Sequence, residues 1–179
     1  MTLFQGVDAS AYQGNLDWQN MKSCHIHFAM LRASIGWEKT DNIDRRFHQN
    51  IQEATQAGIL TGAYHCLAAL DIDDAHREAE IFLNAIRDYK LAFPVAVDIE
   101  DRALRFLDDK RLDDVIRTWC CDLRDSGYYP MIRANLQTVN NRLNQSTLNE
   151  FDLWLIKHGE STDYDGNIGI WQYTSTGSI

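Results

Sequence analysis

Phe93-Pro94-Val95-Ala96-Val97-Asp98-Ile99-Glu100-Asp101 is the stretch on which the reading of this chain turns. A proline opens it, an apolar run follows, and carboxylates close it. A run that is apolar at every position reads as a strand buried on both faces, the signature of a parallel sheet covered by helices. Side chains alternate along a strand, so Asp98 and Glu100 point to one side and Ile99 to the other. Two acids side by side at a buried strand end oppose each other's ionisation, and such a pair suits chemistry that needs one protonated and one ionised carboxyl. The plainer reading is a pair of polar strand-end residues bonded to nearby backbone amides.

Working outward, strand-like runs recur at Phe4–Asp8, Phe28–Ser34, Leu60–His65, Val95–Asp98, Pro130–Ala134, Leu153–Ile156 and Gly169–Gln172. Helical patterns separate them. Ile43–Ala57 precedes Gly58, Asp73–Tyr89 carries Ala79, Phe82, Leu83 and Ile86 on one face, and Leu107–Ser126 stops at Gly127. Regular alternation of strand and helix implies parallel strands with helical crossovers. About seven strands in one unit favour a barrel over a small open sheet. The expected fold is therefore α/β: a single domain over residues 1–179, built as an irregular (β/α) TIM-like barrel. Its late helices are short or missing (Leu136–Leu143 above all).

In such a barrel, chemistry sits at the carboxyl ends of the strands. Those ends carry Asp8, Ser34, His65, Asp98 with Glu100, Asn135, Lys157 with His158, and Gln172 with Tyr173. The set is almost wholly polar, and three of its carboxylates would share one mouth.

Composition excludes several classes. The formal charge of −9, from 17 Lys and Arg against 26 Asp and Glu, is the wrong sign for a nucleic-acid ligand. No apolar run approaches the roughly 20 residues needed to span a bilayer, so membrane insertion is not expected. Cys24, Cys66, Cys120 and Cys121 match no zinc spacing and read as reduced thiols. The amino end shows no basic segment leading into an apolar one, which reads as synthesis in the cytosol without a signal peptide.

The ordered motifs resemble glycoside hydrolase family 25, the Chalaropsis-type lysozymes of bacteria and phage endolysins. The resemblance starts at Gly6-Val7-Asp8-Ala9-Ser10-Ala11-Tyr12-Gln13-Gly14 with Asp17-Trp18. It continues through Arg32-Ala33-Ser34, Gly62-Ala63-Tyr64-His65, Asp98-Ile99-Glu100 and Gly127-Tyr128-Tyr129-Pro130. It ends with Ala134-Asn135, Leu153-Trp154-Leu155 and Trp171-Gln172-Tyr173-Thr174-Ser175. The resemblance implies cleavage of the β-1,4 bond between N-acetylmuramic acid and N-acetylglucosamine in peptidoglycan glycan strands, without metal or cofactor. It implies Glu100 as general acid and then base. Asp98 would be either the nucleophile or the group that orients the substrate's 2-acetamido arm, and Asp8 a third active-site acid. Tyr64, His65, Arg133, Asn135, Trp154, Gln172 and Tyr173 are the candidate substrate contacts. Trp18 and Trp119 read as structural. The wall would be reached from outside, or after holin release.

The chain departs from the family pattern in three places. Arg133 stands where a tyrosine is usual, and a cation there would pair with Asp98 or Glu100 and depress its pKa. Lys157-His158 replaces an alanine and an aromatic. The Val-Asp-x-Asn-like final strand has no counterpart up to Ile179. These departures keep a second reading open, a peptidoglycan-binding barrel impaired in turnover. A remoter third is a metal-dependent barrel hydrolase using His25-Ile26-His27, whose His-x-His spacing suits a metal but which lies at the start of a strand.

Overall fold

A computed structural model describes residues 4–36 and 42–177. Seven parallel strands follow one another in sheet order exactly as in the chain: β1 (Gly6–Ala9), β2 (Phe28–Ile35), β3 (Leu60–Cys66), β4 (Val95–Asp98), β5 (Pro130–Asn135), β6 (Asp152–Ile156) and β7 (Ile170–Gln172). The helices are α1 (Trp18–Ser23), α2 (Phe47–Gln56), α3 (Ile72–Ile86), α4 (Asp109–Asp125), α5 (Leu136–Arg142) and α6 (Gln145–Glu150). The sheet curls into an incomplete α/β barrel of the TIM type. β1 and β7 are not hydrogen-bonded neighbours. Across that seam the Tyr173 hydroxyl donates to Gln5 Oε1 at 3.1 Å.

Local sequence explains the elements. Asp17, Asp71, Asp108 and Asn135 each accept a backbone N–H from the first turn of the helix they precede, satisfying a donor that has no partner inside the helix. Gly58 and Gly127 follow α2 and α4 with φ of +74° and +87°, left-handed values that favour glycine. The long helices α3 and α4 cover one side of the sheet. The helices after β5 are short, as the pattern at Leu136–Leu143 suggests.

The sheet has two apolar faces. Outward residues, among them Leu31, Ala63, Val97, Ile132 and Leu155, pack under Phe47, Phe82, Ile86, Ile116 and Trp119 from the helices. Inward residues Phe28, Met30, Tyr64, Ala96, Met131 and Trp154 fill the barrel. The filling is tight: a Cβ at Gly62 would lie 2.6 Å from both Met30 Sδ and the Pro94 carbonyl oxygen. β4, the strand that decided the reading, is buried at all four positions. The four cysteines are free. No helix among the described residues is long and apolar enough to cross a membrane.

Candidate active site

The carboxyl ends of the inward-facing rows meet around Arg133, which leaves β5 beside Asp98 of β4. Its Nη1 donates to Asp98 Oδ2 at 2.5 Å and its Nη2 to Gln172 Oε1 at 2.8 Å, while Asp8 Oδ2 lies 4.0 Å from Nη2. The guanidinium carbon sits 4.8 Å from the centroid of Trp154 and 5.7 Å from that of Tyr64. A planar cation on two aromatic faces, forked between a carboxylate and an amide, is a geometry arginine suits and lysine does not. Its Nε has no hydrogen-bond partner among the described residues.

Asp98 is held from three directions. Oδ1 accepts the Glu100 backbone N–H at 3.1 Å, Oδ2 takes the guanidinium, and the Cys66 thiol points at Oδ2 from 3.8 Å. Burial raises the Asp98 pKa, with Glu100 adding to the rise, and Arg133 and the Glu100 amide pull against it. The net direction is upward. Arg133 thus pairs with Asp98 and not with Glu100, and its depressing effect is outweighed by desolvation. Asp8 behaves alike: burial lifts its pKa, opposed by Arg133. In the same pocket the Cys66 thiol is pushed up to about 12, mainly by burial and secondarily by Asp98.

Glu100 stands just past the strand and faces Asn135. Its Oε1 accepts the Asn135 backbone N–H at 2.9 Å, and its Oε2 accepts from Asn135 Nδ2 at 2.5 Å. Asn135 Oδ1 accepts Thr138 N–H at 2.8 Å, so the same side chain caps α5. Glu100 also borders a hollow of about 420 Å³ lined from the Arg102–Phe106 turn and α5. Another hollow, of about 460 Å³, lies between residues 15–19 and α2 and contains none of these three acids.

Thus Asp8, Asp98, Arg133 and Gln172 are joined in one inward-facing network, with Glu100 and Asn135 locked together on its rim. Other candidates lie elsewhere. His65 is fully buried on the opposite face of β3. Its Nε2 meets Glu78 Oε2 of α3 at 2.6 Å and its Nδ1 meets Ser34 Oγ at 2.8 Å, under Phe82 and Trp119. The expected substrate contact is therefore corrected: alternation turns Tyr64 and Cys66 inward and His65 outward.

Tyr64 and Trp154 do face inward, but only 5% and 2% of their surface is exposed, and their rings pack edge to face at 5.6 Å. They form the floor beneath Arg133, and as placed they offer no open face to a sugar. Tyr173 is exposed at the seam. Lys157 pairs with Asp163 at 3.0 Å and His158 is exposed. Trp18 and Trp119 are core residues. His25 and His27 lie at the amino end of β2, the end opposite to the carboxylates, and His27 Nδ1 accepts from the Gln5 backbone N–H at 3.3 Å. Among the described residues no cluster of three His, Cys, Asp or Glu side chains is placed to hold a metal.

Sequence reasoning missed Cys66, although the spacing Gly62-Tyr64-Cys66 contained the signal. It also missed a rim network in which Arg32 bridges to buried Asp44 at 2.7 Å and lies 4.7 Å from the ring centroid of Tyr12, itself 83% exposed. Asp44 lies beyond the end of the strand that carries Arg32, and no local pattern marks it.

Comparison with known proteins gives this geometry its setting. The "Autolytic lysozyme" of Clostridium acetobutylicum is 27% identical over 176 residues, covering 98% of this chain and 52% of that protein, so the chain spans about half the length of this relative. Among solved structures, the CTP1L endolysin superposes with a TM-score of 0.86 at 23% identity, covering 99% of this chain and 62% of that one. The bacterial lysozyme from Streptomyces coelicolor superposes with a TM-score of 0.83 at 23% identity, covering 99% and 86%. At such identities the superpositions speak for the fold. The sequence profile described as "Glycosyl hydrolases family 25" matches residues 7–179, nearly the whole sequence, and the chain belongs to that family.

Proposed function

We propose that this domain is a peptidoglycan hydrolase that cleaves the β-1,4 bond between N-acetylmuramic acid and N-acetylglucosamine with retention. The observation that carries the reading is the placing of Glu100 at the barrel mouth, clamped by Asn135 and two residues beyond the Asp98 carboxylate it caps with its own N–H. A proton donor must be aimed at the leaving oxygen, and a clamp from both the backbone and the side chain of Asn135 fixes that aim.

Glu100 gives its proton to the glycosidic oxygen as the C–O bond breaks, and its carboxylate then takes a proton from the incoming water. Asp98 already accepts from Arg133 through one oxygen and from the Glu100 amide through the other. A carboxylate so engaged is a poor attacking group, but it retains lone pairs that can accept one more N–H. This favours Asp98 as the group that holds the substrate's 2-acetamido N–H. The acetamido carbonyl oxygen then attacks the anomeric carbon, and water later reopens the ring with net retention. Asp8, on the far side of Arg133, is the third acid of the mouth. Arg133, Gln172 and Asn135 are positioning groups here, and no metal or cofactor is required.

The partner is the glycan strand of the cell wall. A second reading, a barrel that binds glycan without turning it over, is favoured by Arg133, which occupies the mouth where a tyrosine is usual. Analysis of the reducing-end sugar freed from purified peptidoglycan separates the two. Muramic acid at that end supports the hydrolase, and no release by folded protein that still binds glycan moves the assignment to a binding barrel.

A further inference from the structure

Together with Asn135, Glu100 borders the 420 Å³ hollow, a volume within the range of small-ligand sites. Its lining differs from that of a sugar platform. It contains no aromatic side chain; Arg105, Gln137, Thr138, Asn141 and Arg142 supply most of its polar wall, and Asp101, which accepts the Ala103 N–H, adds a carboxylate. Arg142 is already tied down, to Asp109 and to the carbonyls of Leu104 and Leu107. Arg105 is exposed and makes no hydrogen bond or ion pair among the described residues, and the side chains of Gln137 and Thr138 are likewise unengaged. Residues 137, 138 and 141 fall on one side of α5, within the i, i+1, i+4 arc of a helix. A row of amide and hydroxyl groups ending in a free guanidinium matches a peptide backbone with a carboxylate.

We propose that this hollow receives the stem peptide carried by the muramic acid residue beside the cleaved bond, with a peptide carboxylate on Arg105 and peptide amides along α5. The assignment rests on the muramidase reading and extends it: the substrate is peptide-bearing glycan, and the domain distinguishes it from naked strands. Sugar recognition stays with the mouth, and the hollow reads the substituent.

The test compares kcat/KM on peptide-bearing glycan strands with kcat/KM on strands stripped of peptide by an amidase. The wild type is expected to prefer the peptide-bearing strands. Arg105→Glu is expected to reduce that preference by about tenfold, the size of one lost charge-assisted contact. Arg102→Glu makes the same charge change outside the hollow and is expected to leave the preference in place. A wild type with no preference, or a preference that Arg105→Glu leaves intact, overturns the proposal. Titration of a soluble muramoyl peptide into the protein by calorimetry supplies the second readout. If neither strand type is cut, the hydrolase reading fails, and weaker binding of the muramoyl peptide by Arg105→Glu still decides for the hollow, as unchanged binding decides against it.

Discussion

Two polar clusters sit back to back across β3 and β4. On the helical side, Ser34, His65 and Glu78 form a line sealed from solvent, with the Ala68 N–H adding a second bond to Glu78 Oε2 at 3.0 Å and Oε1 left without a partner among the described residues. On the barrel side, Asp8, Asp98, Arg133 and Gln172 form a network open at one end, with Glu100 on its rim. Both contain buried acids bonded to a basic group, and both draw on adjacent strand-end residues. They differ in what is left over. The outer cluster is enclosed under aromatic rings, whereas the inner one borders solvent and keeps acceptor capacity for a ligand. Burial of an acid therefore does not by itself mark a site; the open end does.

That contrast is broken most sharply by Glu100→Gln, which keeps the shape but removes the transferable proton. Turnover of peptidoglycan should fall by about a thousandfold, within the range of general acid catalysis, while the melting temperature stays close to that of the wild type. His65→Ala should do the reverse. It strands buried Glu78 without its main partner, at a cost of about 3 kcal/mol in urea unfolding, and leaves kcat per folded molecule nearly unchanged.

Arg133→Gln tests the inner network through pH. Asp8 and Asp98 have folded pKa values raised above the ordinary 3.8, so the folded state holds more protons than the unfolded one just above that value. Stability from these two groups is thus fully present at lower pH and is lost as pH rises through their folded pKa values. Removing the cation lifts both carboxyls further. The pH window of that loss should extend upward, and the acid limb of the kcat profile should move to higher pH. A profile that does not move would mean that Arg133 does not govern Asp98. The smallest effect is expected from Tyr173→Phe at the seam, about 0.5 kcal/mol of stability for one exposed hydrogen bond.

Much of the fold was legible because period and punctuation agree. Strands β2 to β6 begin and end within a residue or two of the apolar runs, and Gly58 and Gly127 mark the ends of α2 and α4. β1 begins two residues later than its run, at Gly6. Short elements such as α1 and α6 were not legible, since six residues hold too little periodicity to announce a helix. At the site, chain order located the strand ends but not their faces. A list of strand-end residues mixes both parities, which is why His65 stood beside Asp98 in the sequence reading and stands behind it in the fold. The partner of Arg133 was legible only as a choice between two acids. The sequence reading settled its sign by charge alone, whereas burial reverses the net shift at Asp98.

Asn135 shows how far one side chain's freedom can narrow when it serves two masters. A helix start would accept Asp, Ser or Thr at that position as readily as Asn. Only a carboxamide offers both a carbonyl oxygen for the Thr138 N–H and an NH₂ for Glu100. Aspartate, an equally good start for α5, would set a second anion against the proton donor. The repertoire permitted at residue 135 is thus dictated by the acid it steadies and not by the helix it begins.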